Sequence, residues 1–373
     1  MNVVHAVVPG RPAPVCLPES LVDESMKITA GPDVISRLPL LSPSSPPDTA
    51  LPAPFHYVHE QGSGKELLQE EMDIDSRTLN ELLITGWIQA RPGLLPRKTG
   101  YRCRRCGNSR RNRFGVVSCA RCGRDCAYCR HCVQMGRICA CSILYSWTAT
   151  PVYSKAEEPV LQWQGTLSPG QQRASRAVVQ AVENKSELLV WAVCGAGKTE
   201  VLFEGIARAL DLGSRILIAA PRTDVVLELA PRLQAAFPNV AAAALYGSSE
   251  DKQKPAQLIL STTHQAMRFT DAFDTVIIDE VDAFPYSADE SLVYAVTKAA
   301  RPDAALIRLT ATPPSSLKRQ VTKKQLPCVR IPRRYHGLAS AGSPFSVGCR
   351  VETAASERPP SCSRGEMVLQ AAE

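Results

Sequence analysis

Between about residues 167 and 324 the chain alternates short apolar runs with segments of helical period. Residues 187–193, 215–220, 257–261, 275–278 and 305–309 are short apolar runs, and loops bound each of them. Runs of this length without polar alternation predict strands buried on both faces. The helical segments between them predict crossovers, so the pattern specifies a parallel sheet with helices on both faces. Upstream, residues 65–88 follow a helical period with Leu79, Leu82 and Leu83 on one face, and Arg91-Pro92-Gly93 breaks it. Residues 144–164, with Trp147, Val152, Tyr153, Val160 and Trp163, read as short strands and a connector. Residues 1 to about 60 are proline-rich with weak periodicity, as in Leu40-Leu41-Ser42-Pro43-Ser44-Ser45-Pro46-Pro47, which predicts a variable, partly unfolded region. There is no internal repeat.

These patterns divide the 373 residues into six parts. A variable proline-rich region (1–60) precedes a small helical segment (61–98) and a cysteine-rich module (99–145). A connector (146–166) leads to an α/β lobe (167–325), and an irregular tail (326–373) follows. The length suits two or three compact domains at roughly 100–200 residues each. No stretch of about 18 uncharged apolar residues exists, so no membrane span is predicted. The first residues lack the basic start and apolar run of a secretory leader.

Charge changes this picture locally. The net charge is +7, but residues 97–137 hold twelve Lys or Arg against one acid, Asp125. That density points to a polyanion partner. Nine of the fourteen cysteines lie between Cys103 and Cys141. Clustered C-x2-C pairs without a leader point to metal ligands in a reducing cytosol and away from a disulfide framework.

Two sequence features carry the chemistry. Ala192-Val193-Cys194-Gly195-Ala196-Gly197-Lys198-Thr199 lies between an apolar strand and a helical segment. It fits a phosphate-cradling loop, with Ala where the stricter form has its first Gly. Gly195, Ala196 and Gly197 would let backbone N–H groups turn toward phosphate at a helix N-terminus. Lys198 would reach the β- and γ-phosphates of ATP, and Thr199 would hold Mg²⁺. About 80 residues on, Thr275-Val276-Ile277-Ile278 delivers Asp279-Glu280-Val281-Asp282 at a strand end. Asp279 would position Mg²⁺, and Glu280 would orient and deprotonate the attacking water. The reading requires Lys198 and Thr199 to meet Asp279 and Glu280 at the tips of neighbouring strands.

Further pieces fall in the order of a nucleic-acid motor. Leu167-Ser168-Pro169-Gly170-Gln171 places Gln171 where it could read an adenine edge. Arg222 after one predicted strand and Thr262 and Thr263 after another are placed to touch a nucleic-acid backbone. Thr310 and Thr312, in Leu309-Thr310-Ala311-Thr312-Pro313, would couple hydrolysis to DNA contacts. Each alone is matched by a plain surface loop; the order of five is what argues for a motor.

Together these residues resemble superfamily-two DExx helicases. The run Asp279-Glu280-Val281-Asp282-Ala283-Phe284-Pro285-Tyr286, the preceding cysteine module and Tyr128-Cys129-Arg130-His131-Cys132-Val133-Gln134-Met135-Gly136-Arg137 resemble the ComFA family of late competence proteins, over about residues 65–336. The resemblance implies a RecA-like lobe behind a zinc module, with ATP, Mg²⁺ and Zn²⁺ as cofactors. It implies an ATP-driven single-stranded DNA translocase, cytoplasmic and peripheral at the inner face of the membrane. Its implied partners are the competence channel and a ComFC-like phosphoribosyltransferase-type protein; a homo-oligomer stays open. Two rivals remain: a primosomal-type replication-restart helicase, and a zinc-dependent DNA-binding adaptor with a nucleotide-sensing lobe. Such motors have two RecA-like lobes, yet residues 337–373 are rich in Ser, Gly, Ala and Pro, and no Q-x-x-G-R-x-x-R pattern occurs. The expectation is a single lobe with a truncated or out-of-frame tail and impaired turnover.

In the cysteine module, Cys103-Arg104-Arg105-Cys106-Gly107 and Cys119-Ala120-Arg121-Cys122-Gly123 form two knuckles 12 residues apart, and Cys126, Cys129 and Cys132 follow. Zn²⁺ takes four thiolates tetrahedrally, so four of these seven would form a site, and the cluster is large enough for two. An Fe–S cluster or free structural thiols are the alternatives. The ComFA resemblance implies that Cys129 and Cys132, instead of Cys119 and Cys122, close on Cys103 and Cys106. The interleaved arginines, with Tyr101, Phe114 and Tyr128, would suit phosphate contacts and base stacking. His131 reads as a surface residue.

Overall fold

The computed structural model describes residues 2–332 apart from 12, 43–44, 150–152 and 154–158. Three short strands, β1 (Val3–Val7), β2 (Val15–Pro18) and β3 (Lys27–Asp33), form an antiparallel sheet in the order β2-β1-β3. This corrects the expectation of a partly unfolded start. Proline-rich composition obscured it, but Pro9 and Pro14 lie in the connection between strands, where missing N–H donors cost nothing. Val3 and Leu17 share one apolar core with Leu79, Leu82 and Leu83, so the strands are held by the helix that follows.

Next come α1 (His56–Gly62), β4 (Glu66–Leu67), α2 (Ser76–Thr85) and β5 (Ile88–Pro92). Asp75 caps α2 by accepting from the N–H groups of Arg77 and Thr78, and Gly86 ends it in the left-handed conformation. The segment expected to be helical thus carries short strands on either side of its helix. Two antiparallel hairpins, β6 (Leu94–Arg97) with β7 (Gly100–Cys103) and β8 (Phe114–Cys119) with β9 (Arg124–Cys129), carry Cys103, Cys119, Cys122, Cys126 and Cys129. Strand β10 (Ile143–Trp147) then pairs between β4 and β5.

The lobe runs α3 (Pro169–Glu183), β11 (Glu187–Ala192), α4 (Lys198–Asp211), β12 (Ile216–Ala220), α5 (Thr223–Ala236), β13 (Ala242–Leu245), β14 (Leu258–Thr262), β15 (Phe273–Ile278), α6 (Glu290–Ala299), β16 (Ala300–Thr310), α7 (Ser315–Thr322) and β17 (Cys328–Ile331). Its seven strands are all parallel, in the order β13-β14-β12-β15-β16-β11-β17. Strand β17 pairs with β11, so the sheet extends past the expected boundary at 325. A four-residue apolar run is short to read as a strand, yet Cys328, Val329 and Ile331 are buried on the sheet. The remainder of the expected tail, from 333, lies outside the described residues.

Alternate residues of the strands feed two cores. Ile216, Ile218 and Ala220 face α3, α4 and α5. Leu217 and Ala219 face the other way, with Leu292, Ala295 and Val296 of α6. That second core also contains Cys103, Cys106 and Ile138, so the cysteine module is packed onto the lobe as part of its second face.

Buried ion pairs fix this junction. Arg105, 1% exposed, pairs with Glu71, which also takes Arg268 at 2.9 Å. Arg104 pairs with Glu66 at 2.8 Å, and buried Lys298 lies 3.9 Å from the same carboxylate. The two arginines inside the first knuckle are therefore internal bolts, correcting the expectation that they contact phosphate. Buried guanidinium groups need fixed carboxylates to offset their lost hydration. Arg97, Lys98, Arg111 and Arg130 remain exposed.

Candidate nucleotide cleft and cysteine centres

Strand β11 ends at Ala192, and α4 starts at Lys198, leaving five residues to turn. Gly195 and Gly197 take φ of 74° and 66°, a region that side chains disfavour. A Cβ at 197 would stand 2.5 Å from Gln171 Nε2. Ala196 is buried, and its carbonyl accepts from that same nitrogen at 2.9 Å. Gln171 Oε1 accepts the Ser168 N–H at 2.8 Å. Gln171 lines the cleft and braces the loop against α3 through the Ser-x-x-Gln capping box, with one N–H and one oxygen lone pair of its amide left over.

A cleft of about 660 Å³ opens over this loop, and Lys198, Thr199, Arg222, Asp279 and Glu280 all line it. The two halves of the motif do meet. They do not sit on neighbouring strands, however: β16 lies between β15 and β11. Asp279 donates its N–H to Ala219 O at 2.9 Å and accepts the Glu280 N–H at 2.9 Å. Burial pushes its carboxyl above the ordinary carboxylate range, opposed by the Lys198 ammonium and reinforced by Glu280. Glu280 holds φ of 51°. Such strain costs of order 1–3 kcal/mol and collects at functional sites.

Arg222 is half-exposed at the cleft, 3.8 Å from Glu280 and 3.5 Å from Asp224. Thr262 and Thr263 are buried, Thr263 completely, which contradicts their expected place on a nucleic-acid surface. The strand end they occupy is covered by the segment 264–268 and the cysteine module, since Gln265 reaches Met135 at 3.8 Å. Thr310 and Thr312 both donate to Asp282, Thr310 at 2.5 Å, and join the end of β16 to the acidic segment.

Two groups of four thiols assemble in the module: Cys103, Cys106, Cys129 and Cys132, and Cys119, Cys122, Cys126 and Cys141. Sulfur atoms around a tetrahedral ion with Zn–S near 2.3 Å lie about 3.8 Å apart. Cys103 and Cys132 are 3.6 Å apart, Cys106 and Cys129 3.7 Å, and Cys119 and Cys141 3.6 Å. Both donor sets therefore fit a zinc ion. The first set is fully buried, and Asn108 Nδ2 donates to Cys129 Sγ at 3.6 Å. In the second, Cys119 and Cys122 are half-exposed. The two sequence knuckles do not share a site. Cys141, which follows the seven candidate ligands in sequence, supplies the eighth thiol that two tetrahedral sites need. His131 is no free surface residue: it lies 3.1 Å from Asp289, the cap of α6, and 2.7 Å from Arg113.

Residues 55–146 match the Competence protein ComFA N-terminal domain, and residues 164–315 match the Type III restriction enzyme, res subunit family. The chain is 48% identical to Competence protein ComFA of Bacillus subtilis (strain 168) over 272 residues, covering 73% of this chain and 58% of that protein. It is 35% identical to Competence protein ComFA of Streptococcus pneumoniae (strain ATCC BAA-255 / R6) over 274 residues, covering 74% and 59%. It thus spans less than three fifths of either relative. A hypothetical ATP-dependent RNA helicase from Sulfolobus tokodaii matches 45% of the chain and 54% of its own, with a TM-score of 0.37 and 17% identity. Among the described residues no helix is long and apolar enough to cross a membrane.

Proposed function

We propose, from the match of residues 55–146 to the ComFA N-terminal domain, the match of residues 164–315 to a second family model and the 48% identity to a ComFA protein, that this chain is of the ComFA type, binds Mg-ATP in the cleft above β11 and couples hydrolysis to single-stranded DNA during DNA uptake. The observation that carries the reading is the convergence of Lys198, Thr199, Asp279 and Glu280 on one cleft. Lys198 would hold the β- and γ-phosphates, and Thr199 and Asp279 would hold Mg²⁺, which when bound would neutralise charge on the phosphate oxygens. Glu280 orients the attacking water and takes its proton. Thr310 and Thr312, through Asp282, link the acidic segment to the end of β16 and so to whatever strand the lobe grips.

Both thiol sets would hold Zn²⁺ as structural centres and so help to fold a module whose own apolar area is small. DNA contacts fall to the exposed basic residues Arg97, Lys98, Arg111 and Arg130. A competence channel and a ComFC-like protein are the partners this reading implies, with action at the cytoplasmic face of the membrane. The test is ATP hydrolysis by the purified chain with and without single-stranded DNA. Stimulation that disappears in Lys198→Ala supports the motor. DNA binding with no hydrolysis under any condition supports the adaptor instead.

A further inference from the structure

We propose that Glu200, oriented by Arg232, recognises the nucleoside half of the bound nucleotide; the proposal rests on the nucleotide reading above. Glu200 stands in the first turn of α4, beside Thr199, and lines the cleft together with Arg232. Its two carboxylate oxygens are in different states. Oε1 is held by the Arg232 guanidinium, which α5 brings across the cleft and which Glu228 steadies from one turn back at 3.6 Å. Oε2 is buried and has no protein donor. A Cβ on Gly197 would come within 3.2 Å of Oε2, so this oxygen lies directly against the phosphate loop.

A buried acceptor without a donor is costly, and a ligand that supplies the donor recovers that cost. A carboxylate in an ion pair accepts hydrogen bonds only. It therefore gains nothing from phosphate oxygens, which repel it. The donors of a nucleoside triphosphate are on its other half: the sugar hydroxyls and, for adenine, the exocyclic amine. Trp163 and Leu167 line the same cleft and offer apolar surface for a base.

Isothermal titration in Mg²⁺ with ATP, dATP, ITP and inorganic triphosphate tests this. The wild-type chain is expected to prefer ATP about tenfold over dATP if the 2′-hydroxyl is the donor, or over ITP if the amine is. Glu200→Ala and Arg232→Ala should each lose that preference, and their double variant should lose no more. Affinity of Glu200→Ala for inorganic triphosphate should stay at or above wild type, which also shows an intact loop. The proposal is overturned if wild type binds ATP, dATP and ITP alike, if Glu200→Ala keeps the preference, or if it weakens triphosphate as much as ATP. Failure of wild type to bind either ATP or triphosphate overturns the nucleotide reading itself.

Discussion

In the nucleotide cleft every functional group arrives on an element whose neighbours in sequence also fix its position. Lys198 and Thr199 open a helix directly behind a buried strand, and Asp279 and Glu280 close another. In the cysteine module the opposite holds: Cys103 and Cys106 skip the next knuckle and close with Cys129 and Cys132, while Cys119 and Cys122 reach forward to Cys126 and Cys141. The cleft is built on a sheet that buries its own core. The module has little core apart from its thiols and the face it shares with α6. A backbone-templated site should tolerate loss of one side chain, whereas a ligand-templated one should not.

Removing one ligand from each set should sharpen that contrast most. Structural zinc contributes roughly 10–16 kcal/mol of apparent binding energy in zinc-finger peptides. Cys129→Ser should lower the zinc content seen by native mass spectrometry by one ion and open the module to proteolysis. Cys119→Ser should remove the other ion with less damage, because two of its four thiols are half-exposed. Lys198→Ala should leave the zinc content unchanged. Equal zinc content in Cys129→Ser and wild type would break the comparison.

The junction between the regions should give a smaller effect. Arg105→Met leaves Glu71 with Arg268 alone, and breaking a buried pair costs about 3–5 kcal/mol. A loss near 3 kcal/mol is expected in urea unfolding; no change would place the bolt elsewhere.

Smaller again is a pH effect at Lys65, whose Nζ donates to Lys252 O across the same junction at 2.9 Å. Burial, with Arg215 and Arg268 nearby, depresses its pKa from 10.5 to about 7. Below pH 7 both states carry the proton and the full penalty applies. Between about 7 and 10.5 the unfolded chain binds more proton than the fold, so stability rises with pH. The melting temperature of Lys65→Met relative to wild type should therefore be highest below pH 7 and fall as pH increases. A pH-independent difference would contradict this.

The same contrast governs what could be read in advance. The central strands β11, β12, β14, β15 and β16 were legible because burial on both faces writes continuous apolar runs. Strands β13 and β17, four residues each at the sheet edges, left too short a signal. The N-terminal sheet was hidden by prolines, of which Pro9 and Pro14 sit in a connection while Pro18 and Pro32 lie at the C-terminal ends of strands. The phosphate loop and acidic segment were legible because their chemistry is contiguous. The bracing of Gln171 by the Ser168 N–H and the Ala196 carbonyl was not legible, because it depends on the loop folding back onto α3. Arg104 and Arg105 looked like phosphate contacts because charge is visible in sequence, whereas Glu66 and Glu71 lie 38 and 34 residues away. Glu200 and Arg232 gave no advance signal: their pairing depends on α5 crossing the cleft.

The central claim is that Lys198 with Thr199 and Asp279 with Glu280 surround one Mg-nucleotide. Nucleotide affinity measured by titration with and without Mg²⁺ tests it most directly. In wild type Mg²⁺ should tighten ATP binding; Asp279→Asn should abolish that dependence while retaining metal-free binding, and Lys198→Ala should weaken binding in both conditions. An Asp279→Asn variant with undiminished Mg²⁺ dependence would contradict the account.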